Sequence, residues 1–167
     1  MSTLPGIKIR IPCFPTPLLI TRIVTDYTGT LSFDGRLIPG VEERLRKLKE
    51  LVDIDVLSAD SFGTASGQLA GVPLRPVIYE QDGPHNVLKE KHAKEHDPPH
   101  IAAFGNGSND ELLLKAVKEA KGLAVALDNG EGCSSLAMRY ADIFIVGIVN
   151  ALDLLLYPTR CKATLRP

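Results

Sequence analysis

A rhythm limits the fold of this chain before anything else does: short apolar runs alternate with stretches of helical period along most of its length. Leu18 to Thr25, Ile54 to Leu57, Val77 to Tyr79, Ile101 to Phe104, Leu123 to Leu127 and Ile143 to Val146 are mostly apolar and read as strands. Leu18 to Thr25 and Ile101 to Phe104 in particular read as buried strands. Between them, Val41, Leu45, Leu48 and Val52 recur at helical spacing, with Glu42 to Arg46 and Glu43 to Lys47 pairing on the wet side. Leu113, Ala116, Val117 and Ala120 share a second helical face; Ser108 with Glu111 reads as its capping box and Gly122 as its end. Further helices are predicted from Asp82 toward His96, where Pro98 and Pro99 stop the chain, and over Ser134 to Arg139 and Val149 to Leu156. Ser61 to Gly71 reads as a weak helix, because Gly63 and Gly67 each cost about 1 kcal/mol relative to Ala.

Strands alternating with helices predict an α/β, three-layer, Rossmann-like fold, a parallel sheet with helices on both faces. Ile7, Ile9 and Ile11 alternate with Lys8 and Arg10 before a proline-rich break, which predicts an N-terminal β-hairpin within residues 1–20, ahead of a core over 21–156. The Asp34-Gly35 turn predicts a second small hairpin, too short to be a lid, so no large cap domain is expected. At 167 residues the chain reads as one domain. A chain of that size needs no disulfide or metal staple to fold.

Charge removes one class of partner. Nineteen basic against 20 acidic residues leave a net charge of −1, without the basic excess that binding to phosphate backbones relies on, so no nucleic-acid partner is expected. No apolar run approaches the ~20 residues of a membrane span and no signal-peptide pattern opens the chain, so no membrane partner is expected and the protein reads as cytoplasmic. Cys13, Cys133 and Cys161 are scattered, as free thiols in a reducing compartment would be; Cys133, after Gly-Glu-Gly, stands where a helix N-terminus could lower its pKa.

In parallel sheets of this kind functional groups gather beyond the C-terminal strand ends, which directs attention to Asp26, Ser58 and the turn Gly105 to Asp110. Asp26-Tyr27-Thr28-Gly29-Thr30 resembles the D-x-[DT]-G-T motif of the haloacid dehalogenase (HAD) superfamily, and within it the D-K-T-G-T of P-type ATPases. Gly105-Asn106-Gly107-Ser108-Asn109-Asp110 resembles that group's G-D-G-x-N-D motif, and Ser58 matches its Ser/Thr position. The resemblance runs from about Thr21 to Leu156 and is nearest to small, soluble, capless P-type ATPase-like proteins.

That resemblance implies a Mg²⁺-dependent phosphoryl-transfer hydrolase. Asp26 would be the nucleophile, Ser58 a hydroxyl on the phosphoryl oxygens, and a lysine their counter-charge. Lys89 is the expected lysine, because it sits early in the helix before the Ile101 strand, where the family's lysine usually lies, whereas Lys91 and Lys94 point elsewhere on the helical wheel. Mg²⁺ takes hard oxygen ligands, and Asp26, the Thr28 carbonyl and Asp110 would supply them, with Asn106 beside them. Two positions depart from the superfamily's phosphatases. Thr28 stands where they carry a second Asp as general acid and base, and Asn106 replaces a carboxylate. A phosphorylated substrate, small molecule or macromolecule, is the expected partner, and a homo-oligomer could close the open site. A non-catalytic or signalling phosphate-binding module of the same fold is the alternative; a dinucleotide site fails because Gly105-x-Gly107 lacks the third glycine.

His85, Lys89, His92 and His96 share one helical face. His92 and His96, at i and i+4, are spaced to chelate a transition metal, yet no carboxylate or cysteine in the segment completes the site, so polar packing or an oligomer contact is the expected role.

Overall fold

The computed structural model describes residues 4–74 and 76–167. Strand β1 (Ile7–Ile9) pairs antiparallel with β2 (Leu18–Ile20) as a separate hairpin. The main sheet begins with β3 (Arg22–Asp26). After it come the small hairpin β4 (Ser32–Phe33) and β5 (Arg36–Leu37), helix α1 (Val41–Lys49), β6 (Asp53–Ser58), a single turn α2 (Ala65–Gln68) and β7 (Val77–Ile78). The second half runs α3 (His85–Glu95), β8 (Ile101–Gly105), α4 (Glu111–Glu119), β9 (Leu123–Asp128), α5 (Ser135–Arg139), β10 (Ile143–Val146), α6 (Ile148–Leu156) and α7 (Pro158–Leu165). The six-stranded sheet has the order β10-β9-β8-β3-β6-β7, with every pairing parallel.

Side-chain alternation divides the sheet into two apolar faces. Ile23, Ile54, Val56, Phe104, Val125 and Leu127 point into one core with α1, α6 and α7, while Val24, Leu57, Ala103, Ala124 and Ala126 point into the other with α3 and α4. The second face is built largely of alanine, and a sheet surface that flat lets α4 settle closely through Leu113, Leu114 and Val117. These layers are the expected three-layer α/β arrangement, with helices on both faces. Among the described residues, the connections leaving Asp26 and Ser58 carry, besides α1, the β4–β5 hairpin and the α2 turn. At the hairpin tip Asp34 and Gly35 both have positive φ, 48° and 76°, as a tight two-residue turn requires. No helix among the described residues is long and apolar enough to cross a membrane.

Several local expectations are corrected. Leu18 to Thr25 is not one strand: the chain leaves the hairpin at Ile20 and enters the sheet at Arg22, and between them Thr21 donates its N–H to the His100 carbonyl and accepts from Asp53 N. Helix over Ser61 to Gly71 shrinks to Ala65–Gln68, consistent with its glycine content. Ser108 and Glu111 form no capping box; Asp110 takes that role by accepting backbone N–H groups, and Ser108 Oγ instead meets Ser134 Oγ at 2.7 Å. Lys121, at φ 70°, rather than Gly122 takes the left-handed position after α4; Gly122 is needed because a Cβ there would lie 2.5 Å from the Pro98 carbonyl oxygen. Helix α7, which the sequence reading leaves out, places Cys161 in the core.

Candidate active site

Three strands deliver the site. Asp26 ends β3, Ser58 ends the neighbouring β6, and Gly105 ends β8 on the other side. Connections from the central strand therefore diverge to left and right, and the crevice they leave is where open α/β sheets place ligands.

Asp26 sits at its bottom, with its side chain only 7% exposed. The chain then folds back sharply, so that the N–H groups of Thr30, Leu31 and Ser32 all donate to the Tyr27 carbonyl. Gly29 permits this turn: its φ is 75°, and a Cβ would meet Asn106 Nδ2 at 2.5 Å. Thr28 is half-buried in the same turn. Tyr27 points the other way, into the core, and donates its hydroxyl to the Gly35 carbonyl.

Lys89 comes from α3 and is 1% exposed. Its Nζ donates to Asp26 Oδ1 at 2.8 Å and to Asp110 Oδ1 at 2.7 Å. Lys91 and Lys94 lie on the solvent side, paired with Glu95 and Glu90. Asp110 is fully buried, and its Oδ2 accepts the N–H groups of Asn106 at 3.1 Å and Gly107 at 3.0 Å. Gly105 makes room for it, since a Cβ there would be 2.5 Å from Asp110 Cβ. Asn106 lies on the rim: Oδ1 accepts from Thr30 Oγ1 at 3.1 Å, and Nδ2 donates to the Gly132 carbonyl. Ser58 is buried and its Oγ accepts from Asp60 N at 2.8 Å, which leaves the hydroxyl hydrogen to donate to a ligand. Asp26, Thr28, Ser58, Lys89, Asn106 and Asp110 thus converge at one sheet end.

Two carboxylates and one ammonium share this buried space, leaving one negative charge uncompensated. Burial, with repulsion from Asp110, outweighs the attraction of Lys89 and pushes Asp26 up to about 6. Lys89 is itself pushed up: the two carboxylates outweigh its desolvation, so it stays charged. Both statements hold together because one ammonium is divided between two acids. Excess negative charge on hard oxygens, at a buried strand end, suits a divalent cation such as Mg²⁺.

Asn129 is the residue that sequence reasoning missed. Directly after β9, it donates Nδ2 to the carbonyls of Gly29 at 2.9 Å and Thr30 at 2.7 Å, and its Oδ1 accepts from Ile148 N at 2.8 Å. It ties the turn after Asp26 to the start of α6. Its position just past a strand C-terminus was the available signal. Cys133 is corrected: burial, with the nearby Asp128 and Asp110 charges, raises its thiol pKa.

The fold is shared with solved phosphatases at low sequence identity. The cobalt-bound deoxy-D-mannose-octulosonate 8-phosphate phosphatase of Haemophilus influenzae superposes with a TM-score of 0.60 at 16% identity, covering 89% of this chain and 94% of that one. The 3-deoxy-D-manno-octulosonate 8-phosphate phosphatase of Moraxella catarrhalis, in complex with magnesium, phosphate and KDO, gives 0.56 at 15% identity over 87% and 89% of the two chains. No family model matches the sequence. The chain belongs to the family of the Methanocaldococcus jannaschii protein MJ0073, with 43% identity over 94 residues, 54% of this chain and 97% of that protein. The M. jannaschii protein MJ0072 is 49% identical over 39 residues, 23% of this chain and 89% of its own.

Proposed function

We propose that this protein is a Mg²⁺-dependent phosphohydrolase that works through a phosphorylated Asp26. The carrying observation is the buried Lys89 bridging Asp26 and Asp110 at the end of the central strand. Asp26, the Thr28 carbonyl and Asp110 would hold Mg²⁺, with Asn106 at the edge of its shell, and the bound ion would neutralise charge on the phosphoryl oxygens. An Asp26 carboxylate oxygen forms the new O–P bond while the leaving-group oxygen departs with its electron pair. Water then cleaves the acyl phosphate, releasing phosphate and restoring Asp26. Ser58 donates its hydroxyl to the phosphoryl group, and Lys89 holds Asp26 ionised and in place. A phosphorylated small molecule, as the M. catarrhalis phosphatase binds, is the nearest substrate class, and the open site also admits a phosphorylated macromolecule.

Thr28 sets the chemistry. It cannot protonate a leaving group as a carboxylic acid would, and such help is worth roughly 10²- to 10⁴-fold. Acyl phosphates and nucleotides, which leave well unprotonated, are therefore the favoured substrates, in the manner of P-type ATPases. The same threonine supports the second reading, a module that accepts a phosphoryl group and holds it. Single-turnover reaction with Mg²⁺ and labelled acetyl phosphate, beside an alkyl phosphate monoester, separates the two. Rapid label at Asp26 followed by release, with slow alkyl-ester cleavage that Thr28→Asp accelerates, is the expected result. Label that never turns over favours the holding module, and equal label in Asp26→Asn refutes both.

A further inference from the structure

Away from the catalytic crevice, the structure completes a constellation that the sequence left half-built. The β6 strand presents Asp55 on the sheet face that α3 covers; His92 lies in the last turn of α3 and His96 caps its C-terminus. His92 Nε2 lies 2.8 Å from Asp55 Oδ2. The two imidazoles are stacked, with centroids 4.3 Å apart. One potential ligand atom from each of the three residues falls within 4.8 Å of the others. We propose that Asp55, His92 and His96 form a site for a divalent transition-metal ion of the Zn²⁺ type, separate from the carboxylate site at Asp26 and independent of the activity proposed above.

Two features make this more than proximity. His96 Nδ1 is 2.7 Å from the His92 backbone carbonyl, an oxygen that can only accept, so Nδ1 carries the proton and Nε2 keeps its lone pair. Metal-binding histidines are held in this way, one nitrogen donating to a fixed acceptor while the other faces the ion. Asp55 is likewise held: Arg22 Nη1 donates to its Oδ2 at 2.7 Å, while Arg22 Nη2 reaches Asp53 at 3.3 Å. The cation orients the carboxylate and lowers its basicity, and Asp53 offsets part of that positive charge. Asp55 and His92 are 19% and 16% exposed, so an ion can enter and water can take a fourth position.

Ligand distances of about 2.0 to 2.2 Å in a tetrahedral shell put ligand atoms roughly 3.4 Å apart. The 2.8 Å pair must open slightly and separations of up to 4.8 Å close to roughly 3.4 Å; side-chain rotation can supply such movements. For the ion to bind, the His92 proton shifts from Nε2, where it now faces Asp55, to Nδ1, which leaves the Nε2 lone pair for the metal. Two imidazoles and one carboxylate select against Mg²⁺, which takes oxygen, and for Zn²⁺, Co²⁺ or Ni²⁺. His92 lies three residues beyond Lys89 on the same helix, so the ion would clamp to β6 the element that carries the catalytic-site lysine.

The test uses the full, metal-stripped chain in excess Mg²⁺. Calorimetric titration with Zn²⁺ should show one equivalent bound, and at 100 times Kd the melting temperature should rise by about 5 to 10 °C. Co²⁺ should give the visible absorption of a tetrahedral nitrogen and oxygen site. His92→Gln, which can keep a hydrogen bond to Asp55, and His96→Ala, at the half-buried helix end, should each weaken Zn²⁺ by at least about tenfold and abolish the cobalt spectrum. If His92→Gln fails to fold, His96→Ala alone decides. Absence of Zn²⁺ binding in the wild type, or binding of unchanged affinity in the folded histidine variants, overturns the proposal.

Discussion

Asp26→Asn should make the protein more stable at neutral pH while removing its activity. The wild-type carboxyl titrates near 6 instead of at 3.8, because burial and the Asp110 charge outweigh Lys89. A carboxyl whose pKa is raised by folding holds its proton more tightly in the native state, so stability falls as pH climbs from about 4 to about 6 and stays low above that. The rise from 3.8 to about 6 corresponds to about 3 kcal/mol at pH 7.5. Asparagine is nearly isosteric, stays neutral, and leaves Lys89 its bond to Asp110. The variant should therefore gain up to about 3 kcal/mol at pH 7.5, or roughly 6 to 12 °C in Tm, and much less at pH 4. Urea unfolding of both proteins at the two pH values measures this directly. Mg²⁺ should narrow the gap by stabilising the wild type and not the variant. Equal stabilities at pH 7.5, or a gap of the same size at pH 4, would refute the argument that uncompensated charge strains this site.

Two further substitutions probe the walls of the site. Asn129→Ala removes both bonds that hold the Gly29 and Thr30 carbonyls and orphans Ile148 N; a loss of about 2 to 3 kcal/mol in urea unfolding is expected, with a fall in turnover larger than any rise in KM. Asn106→Asp should tighten Mg²⁺ in a calorimetric titration, since it adds an anionic oxygen at the rim, at a cost of about 1 kcal/mol in stability because the Gly132 carbonyl loses its donor; unchanged Mg²⁺ affinity would put residue 106 outside the metal's reach.

What sequence alone determined here is whatever depends on local period and on short motifs. Short, mostly apolar runs alternating with stretches of helical period specify a parallel sheet between helices, so the three-layer α/β arrangement was legible, and strand ends followed by glycine-rich turns marked Asp26 and Gly105 to Asp110. Lys89 was singled out from Lys91 and Lys94 by the family resemblance together with helical spacing; the polar pattern of α3 does not itself mark the side that meets the sheet. Tertiary structure decided what depends on pairs far apart in the chain. The break at Thr21 arises from backbone partners at Asp53 and His100, which no window around residue 21 contains. Asn129 reaches across about a hundred residues to the turn after Asp26. Asp55 completes the histidine pair from 37 residues upstream, and Asp26 rises to about 6 only because Asp110 and burial act on it together. Local sequence sets which residues can stand at the end of an element; which ends meet, and how much water remains between them, is settled by packing the sheet.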